Sequence, residues 1–297
     1  MSDATTIEWT DATWNPVRGC SRVSQGCVHC YAEGVARRFS GPGQPYEGLI
    51  NKHGSWNGNI KFVDHVLEQP LRWRRPRRIF VNSMSDLFHE NCTDEQIDRI
   101  FRVMDSTDGS RHTFQVLTKR PERMRDYMLR YADKMMGPPP NVWLGVSVEN
   151  QAAYDERVPL LLETPAYVRF LSVEPLLGPV SIKVTDNLER PQLHWVIVGG
   201  ESGPGARPMH PTWVRGLRHQ CRTAGIAFFF KQWGAWAPNE THPERMFVYA
   251  DGSTDIPDMR VAAPENNGET EMARVGKKAA GRLLDGQLHD EFPGETA

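Results

Sequence analysis

The sequence predicts an α/β fold: a partial or full (β/α) barrel of the TIM type, with about six to seven parallel strands and a polar C-terminal extension. Three observations point there. Short runs that are apolar throughout recur along the chain, as strands buried on both faces require. Their spacing, roughly 26 to 36 residues, is the size of one βαβ unit. Helix start and stop signals fill the intervals between them. An open doubly wound sheet is the alternative reading of the same pattern.

The first strand is expected near Ile7 to Trp14, with a helix from Tyr31 to Phe39. Residues 40–70 are rich in Gly, Asn and Pro and read as an insertion after that helix. Six apolar runs follow: Ile79 to Val81, Phe114 to Leu117, Val142 to Val146, Val168 to Leu171, Trp195 to Val198 and Ile226 to Phe230. Each ends in polar residues. Thr93 and Gln96 form a capping box. Pro121 and Pro211 sit at first helical positions. Asn150 caps a helix through Leu162, and Gly225 stops one. Residues 1–237 are thus expected to form the barrel. From 238 to 297 the chain is expected to pack on it as an extension, with a hairpin at Phe247 to Ile256 and a short helix from Met272 to Leu284.

The 297 residues are 39% hydrophobic and 24% charged, which excludes a disordered or collagen-like chain. The net charge of −2 gives no global attraction to nucleic acid, so such binding must rest on local patches. No apolar run approaches the ~20 residues that span a bilayer. The N-terminus is polar and acidic, unlike a signal peptide. The expected location is the cytoplasm, with no membrane partner.

Five cysteines are present, and Cys20, Cys27 and Cys30 fall in one loop directly after the first strand. An odd count argues for metal or redox chemistry over a disulfide framework. Three thiolates hold three irons of a 4Fe–4S cluster and leave the fourth open for a ligand. A structural zinc site needs four ligands, for which His29, His89 or Cys92 is available. Both metals stay open at this point, as does a loop without metal. The three sulfurs are expected to converge at the carboxyl end of the first strand.

A wider set of segments carries a resemblance. They are IEWTDATWNPVRGC, GCVHCYAE, FVNSMSDLFHE, LTKRPERM, GVSVEN, FLSVEPLLGP, WVIVGGESGPGARP, FFFKQWG and GKKAAGRLLDG, and they extend over nearly the whole chain. The chain resembles the radical S-adenosylmethionine (radical SAM) superfamily, and more closely a phage-associated three-Cys-motif family of radical-SAM-like proteins. The resemblance implies an enzyme with a 4Fe–4S cluster on Cys20, Cys27 and Cys30. S-adenosylmethionine would bind the open iron, and a deoxyadenosyl radical would abstract hydrogen from a substrate that the sequence does not identify. It also implies an electron donor such as flavodoxin or ferredoxin, a dedicated partner protein of the three-Cys-motif type, and, weakly, nucleic-acid modification or repair. The alternative is a non-catalytic zinc or iron–sulfur module that binds nucleic acid or a protein.

Two departures from the superfamily pattern stand out. Six residues separate Cys20 from Cys27, where three are usual, and His29 replaces the usual aromatic residue before the last cysteine. Gly199-Gly200-Glu201 follows a later strand than the superfamily's Gly-Gly-Glu, and Asn82 to Asp86 takes the earlier place. The resemblance therefore implies His29 beside the adenine, Asp86 or Glu201 at the ammonium, and Ser147 and Glu149 at the ribose. Gly199 and Gly200 let the backbone approach a ligand. Lys119, Glu174, Lys231 and Gln232 are strand-end candidates for substrate binding or catalysis. For every carboxylate among these the ordinary reading is a helix cap or a salt bridge at the barrel rim. The run Arg72 to Arg78 precedes a strand and reads as a solvated helix end before it reads as a phosphate site.

Overall fold

The computed structural model of the chain describes residues 5–183, 193–238, 245–255 and 269–294. Contacts divide the chain into two compact units: residues 1–147 with 157–170, and residues 148–156 with 171–297. The first unit opens with β1 (Ala12–Trp14), β2 (Val17–Arg18), α1 (Tyr31–Arg38) and β3 (Lys61–Phe62). It continues through β4 (Arg78–Val81), α2 (Asp94–Met104), β5 (Thr113–Thr118), α3 (Pro121–Met135) and β6 (Val142–Ser147). After them come α4 (Gln151–Glu163), β7 (Val168–Val173), β8 (Trp195–Gly199), α5 (Pro211–Ala224) and β9 (Ala227–Gln232).

Seven of these strands form one parallel sheet in the order β1-β4-β5-β6-β7-β8-β9. Spatial order follows chain order throughout. A doubly wound sheet reverses at a switch point; this sheet does not, and it has the connectivity of a partial β/α barrel. The strands run further into the polar tails than the apolar runs alone suggest. β5 reaches Thr118, β6 reaches Ser147 and β9 reaches Gln232, because the backbone ladder continues where the side chains turn polar. The first strand is shorter than expected. Only Ala12–Trp14 pairs with β4, and Asp11 before it is tied by its side chain, which accepts from Arg78 N at 2.7 Å.

The helix boundaries follow their caps. Thr93 and Gln96 make both bonds of the capping box at the start of α2. Pro121 and Pro211 occupy the first positions of α3 and α5. Asn150 Oδ1 accepts from Ala153 N at 3.0 Å, and Gly225 ends α5 in the left-handed region.

The core of the first unit gathers Trp14, Phe88, Phe101 and Phe114, all fully buried. Trp14 Nε1 donates to Val66 O at 2.9 Å, so the ring is fixed as well as buried. The core of the second unit centres on Trp195 and the run Phe228 to Phe230. Phe292 closes it, with ring centroids 5.0 Å from Trp195 and 5.6 Å from Phe229.

The segment after Gly234 belongs to this second unit. β10 (Trp236–Pro238), β11 (Arg245–Val248), β12 (Thr254–Asp255) and β13 (Thr270–Arg274) make a four-stranded sheet in the order β10-β13-β11-β12. The hairpin expected around Asp251-Gly252 is β11–β12; Ile256 lies outside the described residues. The helix expected from Met272 to Leu284 is corrected. Thr270–Arg274 is a strand paired with both β10 and β11, and α6 is only Lys277–Ala280. Met272 and Ala273 are fully buried there, so pairing on two sides overrides local helix preference. The run Arg72 to Arg78 is solvated in part. Arg72, Arg74 and Arg75 are exposed, while Arg77 lies 4.7 Å from the Trp73 ring centroid.

Replacement of Thr93 by Ala removes the acceptor for the Gln96 N–H and half of the box. We expect a loss of about 1 kcal/mol in urea unfolding with an unchanged m-value.

Candidate functional site

In the first unit the chain leaves β1 at Trp14, pairs β2 with β3 and enters the cysteine loop at Gly19. Gly19 has φ +92°, and a Cβ there would meet Asn59 O at 2.3 Å. Only glycine lets the backbone turn into the loop while the insertion passes this close. A single 3-10 turn, Gln25–Cys27, folds the loop back, and Cys30 stands at the N-cap of α1. Cys20, Cys27 and Cys30 are all partly buried. They line one cavity of about 140 Å³, together with residues that follow β4 and β5 and with Ser147 at the end of β6. The three cysteines expected to converge at the end of the first strand share this one cavity. Among the described residues, no three His, Cys, Asp or Glu side chains gather to hold one metal ion.

The insertion forms one side of this site. Leu49 and Trp56 pack with Ala32 and Ala36 of α1 and with Met84, and Cys20 and Cys30 lie against this cluster. Glu33, on α1 and buried, ties three segments together. It accepts from Arg22 Nε at 3.0 Å, from Arg22 Nη2 at 2.5 Å and from Trp56 N at 3.1 Å. The cysteine loop, the helix and the insertion are thereby held by one carboxylate.

Burial pushes the Cys20 thiol up to about 12, and Asp86 adds to the shift; the Arg120 guanidinium opposes it. Burial also raises Cys30, against the pull of the Glu33 and Ala32 backbone N–H groups at the start of α1. A metal taken up here therefore displaces protons from at least these two thiols. Cys92 and Cys221 are fully buried outside this cavity. Burial raises Cys92 to about 11 and Cys221 to about 12, and they act as core residues.

Asp86 and Arg120 form the polar hub of the site. Asp86 Oδ1 accepts from Phe88 N at 2.9 Å and from Thr118 Oγ1 at 2.7 Å. Its Oδ2 accepts from Lys119 N at 3.1 Å and from Arg120 Nη1 at 3.0 Å. All acceptor positions of the carboxylate are thus engaged by protein donors. Arg120 extends the hub: Nε donates to Glu90 at 2.9 Å, Nη2 to Ser21 Oγ at 2.6 Å, and Nη1 lies 4.0 Å from Cys20 Sγ. That Arg120 reaches back to the cysteine loop has no local signal in the sequence.

His89 completes the hub, and its tautomer follows from its partners. Nδ1 accepts from Asn91 N at 3.1 Å, so the proton sits on Nε2 and points at Ser21 Oγ, 3.0 Å away. Ser21 in turn donates to Glu90 at 2.8 Å. A second ring proton would face the Asn91 N–H. Burial, helped by the Arg120 charge, holds the His89 pKa below the usual histidine value.

The structure brings Asp86, Lys119 and Ser147 to the cavity wall with the cysteines; His29 lies in the same loop but does not line the cavity. The remaining candidates belong to the second unit. Lys231 Nζ donates to both oxygens of Glu174 at 2.9 Å, and Gln232 Nε2 donates to Oε1 at 3.0 Å. Glu201 is buried and held by Arg207, which donates through N at 2.9 Å, Nε at 2.8 Å and Nη2 at 2.6 Å. Glu149 is buried, and its carbonyl accepts from Leu177 N at 2.7 Å. The two glycines admit the protein's own chain. A Cβ on Gly200 would meet Trp233 O at 2.0 Å, and one on Gly199 would meet Glu174 at 3.0 Å. For Asp86, Glu174 and Glu201 the rim salt bridge is thus the arrangement present.

Two measurements check this electrostatic account. Arg120→Gln leaves the Asp86 carboxylate buried without its cation, and we expect unfolding free energy to fall by roughly 3 kcal/mol. Native His89 is neutral, whereas the unfolded histidine takes a proton near pH 6.5. Its contribution is therefore present above pH 6.5 and is lost as pH falls through its lower folded value. The Tm of wild type should drop on going from pH 7.5 to 5.5, and the drop should be smaller in His89→Gln.

No curated protein and no solved structure shows a significant match to the chain. A model of the family described as "Protein of unknown function (DUF5131)" matches residues 4–293, and the chain belongs to that family.

Proposed function

We propose that this protein is an iron–sulfur enzyme of the radical SAM type, with one 4Fe–4S cluster on Cys20, Cys27 and Cys30. The observation that carries the reading is the shared cavity of the three thiols at the strand ends of the first unit. The donor set suits such a centre. A cubane takes each thiolate on a different iron, so its ligands stand around a cavity and need not meet at one point. Three protein thiols leave one iron open, and Cys92 is not on the cavity wall. Two groups are placed to stabilise thiolates once a metal has displaced the protons: Arg120 beside Cys20, and the amides that begin α1 beside Cys30. Leu49, Trp56 and Met84 give Cys20 and Cys30 an apolar neighbour.

When bound, the cluster supplies one-electron reduction and, with S-adenosylmethionine on its open iron, radical chemistry. The residues of this chain position and insulate. Asp86 holds Arg120, and Arg120 holds the cysteine loop; with four donors on its carboxylate, Asp86 is a positioning residue in this reading. Lys119 and Ser147 offer polar groups on the same wall. The cavity, at about 140 Å³, is below the several hundred Å³ usual for organic ligands. It suits the inorganic centre. In the second unit, the Glu174–Lys231–Gln232 group is the candidate for binding substrate or moving its proton. The reading places the protein in the cytoplasm, where thiols stay reduced, with a flavodoxin or ferredoxin as reductant. Among the described residues no helix is long and apolar enough to cross a membrane.

Anaerobic reconstitution with iron and sulfide tests the proposal. Wild type, Cys92→Ala and Cys221→Ala should each retain about four irons, and replacement of Cys20, Cys27 or Cys30 by Ala should abolish the brown absorbance. The reduced protein should then release deoxyadenosine from S-adenosylmethionine. Stoichiometric zinc in place of iron, with no deoxyadenosine, would establish a metal-binding module and sink the enzyme reading.

A further inference from the structure

Several polar side chains on the wall of the cysteine cavity are satisfied by the protein itself. Ser85 Oγ donates to Val17 O at 2.8 Å. Thr118 Oγ1 donates to Asp86, and Asp86 in turn is saturated by four donors. Arg120 is shared among Asp86, Glu90 and Ser21.

Asn82 departs from this pattern. It directly follows β4, lines the cavity and is only 2% exposed. Its φ of 59° lies in the left-handed region, which few residues other than glycine adopt and which asparagine tolerates best. The backbone N–H is used, donating to Trp14 O at 2.7 Å. The side-chain Oδ1 accepts from Val17 N at 3.3 Å. That bond decides which end of the amide is which, because a backbone N–H needs an acceptor. Nδ2 is therefore the other end, and this buried donor has no acceptor among the described residues. Buried donors are paired in native proteins with few exceptions, and each exception calls for a partner. Here the residue that carries the unpaired donor lines the cavity of the three thiols.

We propose that Asn82 is a ligand-binding residue of the cysteine cavity: its side-chain amide donates to a sulfur of the metal–sulfur centre held by Cys20, Cys27 and Cys30. The inference rests on the iron–sulfur reading above. With this left-handed turn after β4, the Asn82 side chain meets Val17 N and the residue lines the cavity. Hydrogen bonds to cluster sulfurs favour the more negative, reduced state and raise the potential.

The test compares wild type with Asn82→Asp and Asn82→Gly. The first keeps the shape and the acceptor for Val17 N. The second removes the side chain without adding charge and suits the left-handed φ. Before reconstitution, Asn82→Gly should melt below wild type, because Val17 N loses its acceptor, and Asn82→Asp should also melt lower, because a carboxylate replaces a buried amide; the apo Tm of each variant is the reference for its loaded form. After loading with iron and sulfide, a chelator should strip iron about tenfold faster from Asn82→Asp, the loss of one charge-assisted hydrogen bond. At fixed applied potential its ratio of reduced to oxidised cluster should fall about tenfold, equivalent to 59 mV for one electron. Asn82→Gly should shift in the same direction by less. Variants that load and titrate as wild type does overturn the inference and leave the iron–sulfur reading standing. A change confined to S-adenosylmethionine affinity, with potential and chelator resistance unmoved, overturns it as well. Wild type that takes up no iron overturns the reading itself, and this inference with it.

Discussion

The buried pair of Asp86 and Arg120 is the interaction on which the first unit's site depends. Two charges at 13% and 7% side-chain exposure are costly to bury unless each finds several partners. Here they do. Asp86 collects two backbone amides, a hydroxyl and the guanidinium; Arg120 spreads its remaining donors over Glu90, Ser21 and the Cys20 sulfur. The consequence is mechanical as well as electrostatic. Asp86 follows β4 and Arg120 follows β5, so two neighbouring strand ends are locked to each other. The same guanidinium then reaches the loop that leaves the first strand. Three segments far apart in the chain converge because one carboxylate and one guanidinium cannot be left alone in a dry place.

A second tie works on the far side of the same loop. Glu33 joins Arg22 of the cysteine loop to Trp56 of the insertion, and Leu49, Trp56 and Met84 pack against Cys20 and Cys30. The insertion therefore serves as a wall of the cavity. It also explains Gly19, where the insertion's Asn59 carbonyl passes too close for any Cβ. Burial raises the Cys20 and Cys30 thiols; Arg120 opposes the shift at Cys20 and the start of α1 opposes it at Cys30.

The second unit uses strand-end charges in another way. Glu174 with Lys231 and Gln232, and Glu201 with Arg207, are pairs whose members follow or lie on β7, β8 and β9. Glu201 is buried and saturated by one arginine, which makes it a brace. Glu174 and Lys231 retain partial exposure, 19% and 14%, and a pair that water still reaches is one a ligand can also reach.

Much of this was legible from the residues alone. The six later strands, their order of appearance, and the starts of α2, α3, α4 and α5 follow from apolar runs and caps, which are local and repeat. The cysteine loop was equally plain, because three thiols within one loop have few uses. What the tertiary structure decided is of a different kind. It decided that spatial order follows chain order, which distinguishes a partial barrel from a doubly wound sheet with the same local pattern. It turned Met272 to Arg274 into a strand, because two neighbours pair with it. It assigned Asp86 to Arg120 and gave Asn82 an unpaired donor beside the thiols. Periodicity and caps are set by residues a few positions apart, so a sequence displays them. Partners 34 residues apart, such as Asp86 and Arg120, meet only after the strands have paired. Which strand-end carboxylate is braced and which donor is left open depends on that meeting, and no local pattern encodes it.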